Sequence, residues 1–141
     1  MARVLVIDDE PDVLLLCRVN LEHAGHQVLE APDGEIGLEL ARNERPDIIV
    51  LDVMLPRRDG LDVLADLISE HAEMPVLLLT AKTQWEDQIR GWRAGAADYI
   101  TKPFSPANLT EAVERVLAEE PEARVGRRAD ALRKLIGETP S

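Results

Sequence analysis

The sequence has few of the features of a secreted, membrane-bound or polyanion-binding protein. Cys17 is the only cysteine among 141 residues, which excludes an intramolecular disulfide. No basic, apolar signal opens the chain and no apolar stretch has membrane length. Lysine and arginine total 16 against 27 aspartates and glutamates, a net charge of −11 that disfavours general binding to nucleic acids or anionic membranes and favours cationic ligands. We therefore expect a cytoplasmic protein.

The charge is unevenly distributed along the chain. Residues 1–120 carry 11 basic and 24 acidic groups, whereas residues 121–141 carry 5 and 3. The length and the 45% hydrophobic content suit one folded domain, which we place at 1–120. Residues 121–141 form a basic C-terminal tail or linker, for which we expect a solvated face, with an anion contact or docking on the acidic body as alternatives. Its apolar residues at helical spacing, which favour a short helix, are Ala129, Leu132 and Leu135 or Ile136.

Short apolar runs alternate with amphipathic stretches along the chain. The runs predict five strands, at 3–7, 27–30, 47–51, 75–80 and 97–101. The third and fourth runs are continuously apolar, which is typical of central parallel strands covered on both faces. The stretches between them predict helices, of which the last three span 61–72, 83–94 and 106–120. Five βα units with right-handed crossovers predict an α/β fold with a doubly wound parallel sheet in the order 2-1-3-4-5, and ligands at its carboxyl edge.

Polar residues interrupt the apolar runs where four of the strands end. They are Asp8 and Asp9 after strand 1, Asp52 after strand 3, Thr80 at the end of strand 4 and Lys102-Pro103 after strand 5. If strands 1 and 3 are neighbours, about 4.8 Å apart, their carboxylates converge, and each pair repels by about 3 kcal/mol at an effective dielectric of about 20. Protonation, Lys102 or a divalent cation must compensate. Hard oxygen ligands with spare coordination positions favour Mg²⁺.

Four motifs in combination resemble the receiver domain of bacterial two-component response regulators. They are IDDE at 7–10, LDVMLPRRDG at 51–60, LLTA at 78–81 and DYITKPF at 98–104, and the resemblance covers 3–119. It implies a flavodoxin-like fold and a phosphoprotein. The roles that it implies are Asp52 as phosphoacceptor, Asp8, Asp9, Asp52 and the backbone carbonyl of Met54 as Mg²⁺ ligands, Thr80 and Tyr99 as switch residues, and Lys102 as partner of the phosphoryl group. It also implies a cis bond between Lys102 and Pro103.

The resemblance implies a phosphoryl transfer in which the Asp52 carboxylate attacks phosphorus. His23, His26 and His71 lie away from the predicted edge, so the phosphodonor histidine belongs to a sensor histidine kinase or a phosphotransfer protein. The chain would catalyse only its own phosphorylation and dephosphorylation. Thr80 would then move toward the phosphoryl group and Tyr99 into the vacated space, which alters the face of helix 4, strand 5 and helix 5.

Two helices carry apolar residues that suggest partner contacts. In helix 1, Leu14 and Leu15 fall outside the expected core face, so we expect them to be partly exposed and to dock the phosphodonor; scattered surface leucines are the alternative. In helix 4, Trp85 and Trp92 lie on one side with Ile89. Trp85 is a candidate output contact, and Trp92 is either a second contact or core.

Output and assembly are less constrained by the sequence. We expect a downstream effector protein or an output domain that is missing from this sequence. Receivers of winged-helix transcription factors dimerise through a set of charges, yet Arg93, Ala97 and Ala112 stand where acidic, acidic and basic residues would be expected. That form of homodimer is disfavoured, while other homodimers stay open.

Two competing functions remain. A phosphatase of the haloacid-dehalogenase type needs a second aspartate two residues after the nucleophile, where this chain has Met54, so turnover of external substrates is disfavoured. A phosphorylation-independent interaction module of the same shape is disfavoured because the acidic pair, acceptor, hydroxyl and lysine are all present.

Overall fold

The computed structural model describes residues 2–71, 73–81 and 85–137; for Ala81, Trp85 and Asp87 it describes only the backbone. The strands are β1 (Arg3–Ile7), β2 (Gln27–Ala31), β3 (Ile48–Asp52), β4 (Val76–Ala81) and β5 (Asp98–Lys102). The helices are α1 (Pro11–His23), α2 (Gly34–Glu44), α3 (Gly60–Glu70), α4 (Trp85–Ala94), α5 (Pro106–Ala118) and α6 (Pro121–Gly137).

All five strands form one parallel sheet in the order β2-β1-β3-β4-β5. The predicted fold class and strand order are therefore confirmed. The reversal of winding places β1 and β3 side by side in the middle of the sheet, with Ile7 beside Leu51. The residues that follow these two strands consequently emerge at one point of the carboxyl edge.

The core consists of two apolar layers, one on each face of the sheet. Alternate residues of β1 enter different layers, Val4 and Val6 on one face and Leu5 and Ile7 on the other, because successive strand side chains point in opposite directions. Helices α1 and α5 cover the first layer, and α2 and α3 cover the second. Burial on both faces accounts for the uninterrupted apolar sequence of β3, in which every residue is buried.

The expected exposure of Leu14 is wrong. Leu14 is only 8% exposed, and it belongs with Cys17 and Leu21 to the core layer shared with α5. These three residues lie at i, i+3 and i+7 and therefore share the helix face that contacts the sheet. Leu15, one residue further around the helix, is 59% exposed as expected. Cys17 is fully buried, and this burial raises the pKa of its thiol to about 12.

The C-terminal segment forms a longer helix than the apolar spacing suggested. Helix α5 ends at Ala118 rather than at 120 because Glu119 leaves the helical region, and α6 then begins at Pro121 and continues for 17 residues. Helix α6 packs along α4. None of its residues is fully buried, so it rests on the domain surface. Within the described ranges, every helix is too short or too polar to cross a bilayer.

Candidate functional site

The ends of β1, β3 and β5 bring three charged side chains together. Asp8 follows β1 and Asp52 ends the neighbouring β3, and both carboxylates are buried. Lys102, at the end of β5, extends its ammonium group to both of them. Its Nζ lies 2.9 Å from Asp8 Oδ2 and 3.2 Å from Asp52 Oδ2. The convergence of residues 8, 52 and 102 that strand order predicts is therefore present.

Two exposed acidic residues complete the cluster. Carboxylate oxygens of Asp8, Asp9, Glu10 and Asp52 all lie within 4.8 Å of one another. Glu10 also contacts Lys102, with Oε1 3.1 Å from Nζ. Sequence reasoning did not single out Glu10, although it closes the IDDE motif, because a pairing across 92 residues has no local signal. The site thus sets four carboxylates against one ammonium group.

Backbone amides hold the two buried carboxylates in place. The N–H of Glu10 donates to Asp8 Oδ1 at 2.9 Å, and the N–H of Met54 donates to Asp52 Oδ1 at 3.0 Å. The Met54 side chain itself is 66% exposed. A carboxylate that is fixed through one oxygen keeps a defined orientation, so the second oxygen of Asp52 lies toward Lys102.

A close approach of two backbones shapes the loop after β3. A Cβ on Gly60 would lie 2.2 Å from the carbonyl oxygen of Asp52, so only glycine fits there. The N–H of Gly60 donates to the carbonyl of Val53 at 2.9 Å, and the Asp59 side chain accepts from the N–H of Leu61 at the start of α3. The loop therefore folds back on the end of β3 and supports the segment that carries Asp52 and Met54.

The site has an excess of negative charge, and the pKa values of Asp52, Asp8 and Lys102 are raised. Burial raises the pKa of Asp52 to about 6, and the charge of Asp8 adds to the rise; the Met54 amide and Lys102 oppose it only in part. Burial likewise raises the pKa of Asp8 above its ordinary 3.8. For Lys102, burial alone would lower the pKa, but the close contact with Asp8 and the charge of Asp52 outweigh it, and the pKa is raised.

The donor set suits a hard divalent cation. Asp8 Oδ2 is buried and, despite its proximity to Lys102, makes no hydrogen bond of good geometry with any described residue. Such an oxygen beside three further carboxylates is an incomplete ligand set, and carboxylate oxygens are the ligands that Mg²⁺ prefers. Asp8, Asp9 and Asp52 could supply them. The expected fourth ligand, the backbone carbonyl of Met54, stays a prediction.

The two predicted switch residues lie on neighbouring strands. Thr80 is buried on β4, where its register partner on β5 is Thr101. Tyr99 is half-buried on β5, and its ring meets that of Trp92 edge-on with centroids 5.5 Å apart. The Lys102–Pro103 peptide bond is cis, as the resemblance implied. The motion predicted for Thr80 and Tyr99 stays a prediction.

The expectations for the two tryptophans had different outcomes. The side chain of Trp85, the predicted output contact, lies outside the described residues. Trp92 is only 4% exposed and is covered in this structure, so its role as a partner contact stays a prediction. The physical reason is α6, whose Arg127 lies over the Trp92 ring at 5.8 Å from its centroid.

The sequence of the domain matches a known family over most of its length. Residues 4–114 match the family described as the response regulator receiver domain. The chain belongs to this family. An acidic pocket made by Asp8, Asp9 and Asp52 is typical of the phosphoacceptor site of receivers, and receiver domains interact with kinases and effectors.

Relatives of this receiver differ in how much of their length it covers. The alkaline phosphatase synthesis transcriptional regulatory protein PhoP of Bacillus subtilis is 45% identical over 115 residues, which are 82% of this chain and 48% of that protein. The probable transcriptional regulatory protein TcrX of Mycobacterium tuberculosis is 50% identical over 115 residues, which are 82% of this chain and 48% of TcrX. This receiver therefore spans about half the length of these two relatives. Protein PilH of Pseudomonas aeruginosa is 39% identical, and 99% of it is covered.

Solved structures agree with the fold. A putative response regulator from Chloroflexus aurantiacus is 33% identical with a TM-score of 0.79, over 84% of this receiver and 98% of that chain. The receiver domain of NtrX from Brucella abortus is 33% identical with a TM-score of 0.80, and the match covers 83% of this receiver and 99% of that chain.

Proposed function

We propose that this receiver accepts a phosphoryl group on Asp52 in a Mg²⁺-dependent reaction, and that the α4–β5–α5 face then signals to a downstream partner. The observation that carries the proposal is the setting of Asp52, which is buried beside Asp8, held by the Met54 amide and 3.2 Å from Lys102. The phosphoacceptor unit corresponds to residues 1–120, and residues 121–141 are an appended segment.

The proposed donor is a phosphohistidine on a sensor histidine kinase or a phosphotransfer protein. An oxygen of Asp52 attacks phosphorus; the new bond is Asp52 O–P, the histidine N–P bond breaks, and its electron pair returns to the donor's imidazole. No general base is required, since an Asp52 pKa of about 6 leaves the carboxylate largely ionised at neutral pH. Lys102 and the Thr80 hydroxyl are proposed to bind the phosphoryl oxygens. Mg²⁺, when bound by the acidic pair, would neutralise part of their charge.

The proposed activity is self-modification rather than turnover. The residue two positions after Asp52 is Met54, which has no acidic group to protonate the leaving group of an external phosphoester, so we propose no substrate apart from the phosphodonor. The downstream partner is proposed to be an effector protein or an output domain, since PhoP and TcrX are transcriptional regulators about twice as long as the matched region.

Leu15 is proposed to contact the phosphodonor. It is exposed on α1 together with Val19, one turn further along, and this helix starts directly beside the acidic cluster. Two apolar side chains at i and i+4 form a stripe that a helical donor can cover. Leu14, which is buried, does not belong to this surface.

Mass spectrometry after incubation with Mg²⁺ and acetyl phosphate tests the function. We expect the mass of one phosphoryl group on the wild type, its loss in Asp52→Asn, and its retention in Asp62→Asn, a matched change of an exposed aspartate on α3. Persistent modification of Asp52→Asn would place the acceptor elsewhere. An unmodified wild type with acetyl phosphate and with kinase would instead support the phosphorylation-independent module.

A further inference from the structure

Helix α6 covers part of the face through which the receiver is proposed to signal. It packs along α4, and one side of it is half-buried while the other is exposed. Its net charge is opposite to that of the rest of the chain, since residues 1–120 carry an excess of 13 acidic groups and residues 121–141 an excess of 2 basic ones. The helix is therefore positioned as a ligand of the acidic body.

One side chain of α6, that of Arg127, makes several specific contacts with the domain. Arg127 donates to both carboxylate oxygens of Glu119, at 2.6 and 2.8 Å, and to the carbonyl of Ala97 at 2.5 Å. Its Nη1 lies 3.4 Å from Asp98 Oδ2, and its guanidinium group lies over Trp92. Arg127 thereby joins α6 to α4, to the start of β5 and to the end of α5.

Two of the groups that hold Arg127, Asp98 and Trp92, adjoin the predicted switch aromatic Tyr99. Asp98 immediately precedes Tyr99 and accepts a hydrogen bond from the Tyr99 N–H at 2.8 Å, while Arg115 of α5 pairs with its other oxygen. The Trp92 ring lies between Tyr99 and Arg127, in contact with both. A rotation of the Tyr99 ring would remove one of the supports of Trp92 and disturb the arginine site.

We propose that α6 is an intramolecular cap on the α4–β5–α5 face, anchored by Arg127, and that the effector of this face presents a basic amphipathic helix that replaces α6. The acceptors Glu119, Asp98 and the Ala97 carbonyl, together with an aromatic ring, form a site for one arginine. Ala131 and Leu135 follow Arg127 at i+4 and i+8 and line the same groove, so the pattern that fits is an arginine followed by small and aliphatic residues at helical spacing. Release of the cap by phosphorylation rests on the proposed function; the cap itself does not.

Hydrogen exchange of the 141-residue protein tests the anchor. Arg127→Ala should speed exchange of the α6 amides by about tenfold or more, because several charge-assisted hydrogen bonds are lost at once. Arg133→Ala is the matched control, since Arg133 is exposed on the same helix and, among the residues that the structure describes, pairs with Asp130 of that helix alone. Exchange in the sheet should be unchanged in both. Equal α6 exchange in the two variants would overturn the anchor.

Binding of a synthetic α6 peptide, residues 121–137, tests competition for the face. We expect the peptide to bind the Arg127→Ala protein at least about tenfold more tightly than the wild type, whose site its own α6 occupies, and we expect the same peptide with Arg127→Ala not to bind. Equal binding to both proteins would overturn the cap. Formation of dimers by the wild type that the peptide dissociates would also overturn it, because α6 would then dock between copies.

The link to phosphorylation has a separate readout. With phosphorylation verified by mass, α6 exchange should accelerate in the modified wild type and stay unchanged in Asp52→Asn. Verified phosphorylation with unchanged α6 exchange would refute the coupling and leave the proposed function standing. A protein that accepts no phosphoryl group but shows the anchor and competition results would refute the function and leave the cap standing.

Discussion

At the scale of single residues, the site is defined by repulsion between carboxylates, which the one lysine compensates only in part. Four carboxylates face one ammonium group, and the two that are buried, Asp8 and Asp52, both have raised pKa values. Neutral packing of the same volume would be more stable. The excess negative charge is therefore consistent with a cationic ligand. The free energy of unfolding should then depend on pH and on Mg²⁺.

The first prediction concerns pH in the absence of metal. Because the pKa of Asp52 is raised from 3.8 to about 6, the folded chain binds more protons than the unfolded chain between these values, and stability is lost as pH rises through about 6. The full effect is roughly 3 kcal/mol. Urea unfolding in EDTA should show Asp52→Asn gaining stability over the wild type by about 1.5 kcal/mol more at pH 7.5 than at pH 5. Parallel pH profiles of the two proteins would contradict this assignment.

The second prediction separates Asp8 from the acceptor. Asp8→Asn removes one buried charge that faces Asp52, so without metal the variant should be more stable than the wild type by about 1–3 kcal/mol. It also removes a proposed ligand, so the rise in melting temperature that Mg²⁺ gives the wild type should be largely lost. Calorimetry with EDTA and with Mg²⁺ measures both effects. Asp62→Asn, the exposed control, should behave as the wild type in each condition, and a destabilised Asp8→Asn in EDTA would refute the argument.

At the scale of elements, the strands could be predicted because their apolar pattern is local, and their order followed from the right-handed crossovers of successive βα units. Runs such as IIVL in β3 and VLLL in β4 are apolar at every position, and only a strand covered on both faces requires that. The phase of α1 could not be predicted, since residues 13–17 are all apolar and the contact with α5 decides that Leu14 is buried and Leu15 exposed. The docking of α6 depends on Arg127 meeting Glu119 and Asp98, which no local pattern encodes.

The third prediction tests the loop that supports Asp52. Gly60→Ala would place a methyl group against the backbone of Asp52 and Val53, which cannot yield as a flexible side chain can, and should cost about 3 kcal/mol of stability. Because the loop carries the Met54 amide, the rate of phosphorylation by acetyl phosphate should fall as well. Chemical unfolding and the time course of modification measure the two effects.

The same substitution elsewhere provides the control for the loop. A Cβ at Gly126 of α6 would meet nothing within 4 Å, so Gly126→Ala should stabilise that helix by up to about 1 kcal/mol and leave phosphorylation unchanged. If the two alanine variants had the same stability and the same rate, the close approach at Gly60 would not matter to the site.

At the scale of the whole molecule, the receiver has two candidate contact surfaces for other proteins. Leu15 and Val19 are exposed on α1, the helix that follows Asp8 and Asp9, whereas α6 packs along α4 beside the edge strand β5. Input and output contacts on different surfaces can be changed independently. A variant on α1 should therefore affect the receipt of the phosphoryl group and leave the cap intact.

The fourth prediction uses two kinds of phosphodonor. Leu15→Asp should slow transfer from a phosphorylated kinase or phosphotransfer protein by about tenfold, because it places a charge in an apolar contact. Transfer from acetyl phosphate, which needs no docking surface, should be unchanged. Ile36→Asp, a change of an exposed aliphatic residue on α2, is the control and should alter neither rate. Unchanged transfer from the protein donor to Leu15→Asp would exclude α1 as its docking surface.

Because Cys17 is buried, the folded protein should not react with thiol reagents. Its sulfur has no exposed surface, and with a pKa of about 12 almost none of it is thiolate at neutral pH. If a second cysteine were placed on the outer side of α6, for example by Arg133→Cys, a maleimide dye would label that cysteine and leave Cys17 unlabelled. The chain is thus already suited to single-molecule observation of its own C-terminal helix, with no background substitution.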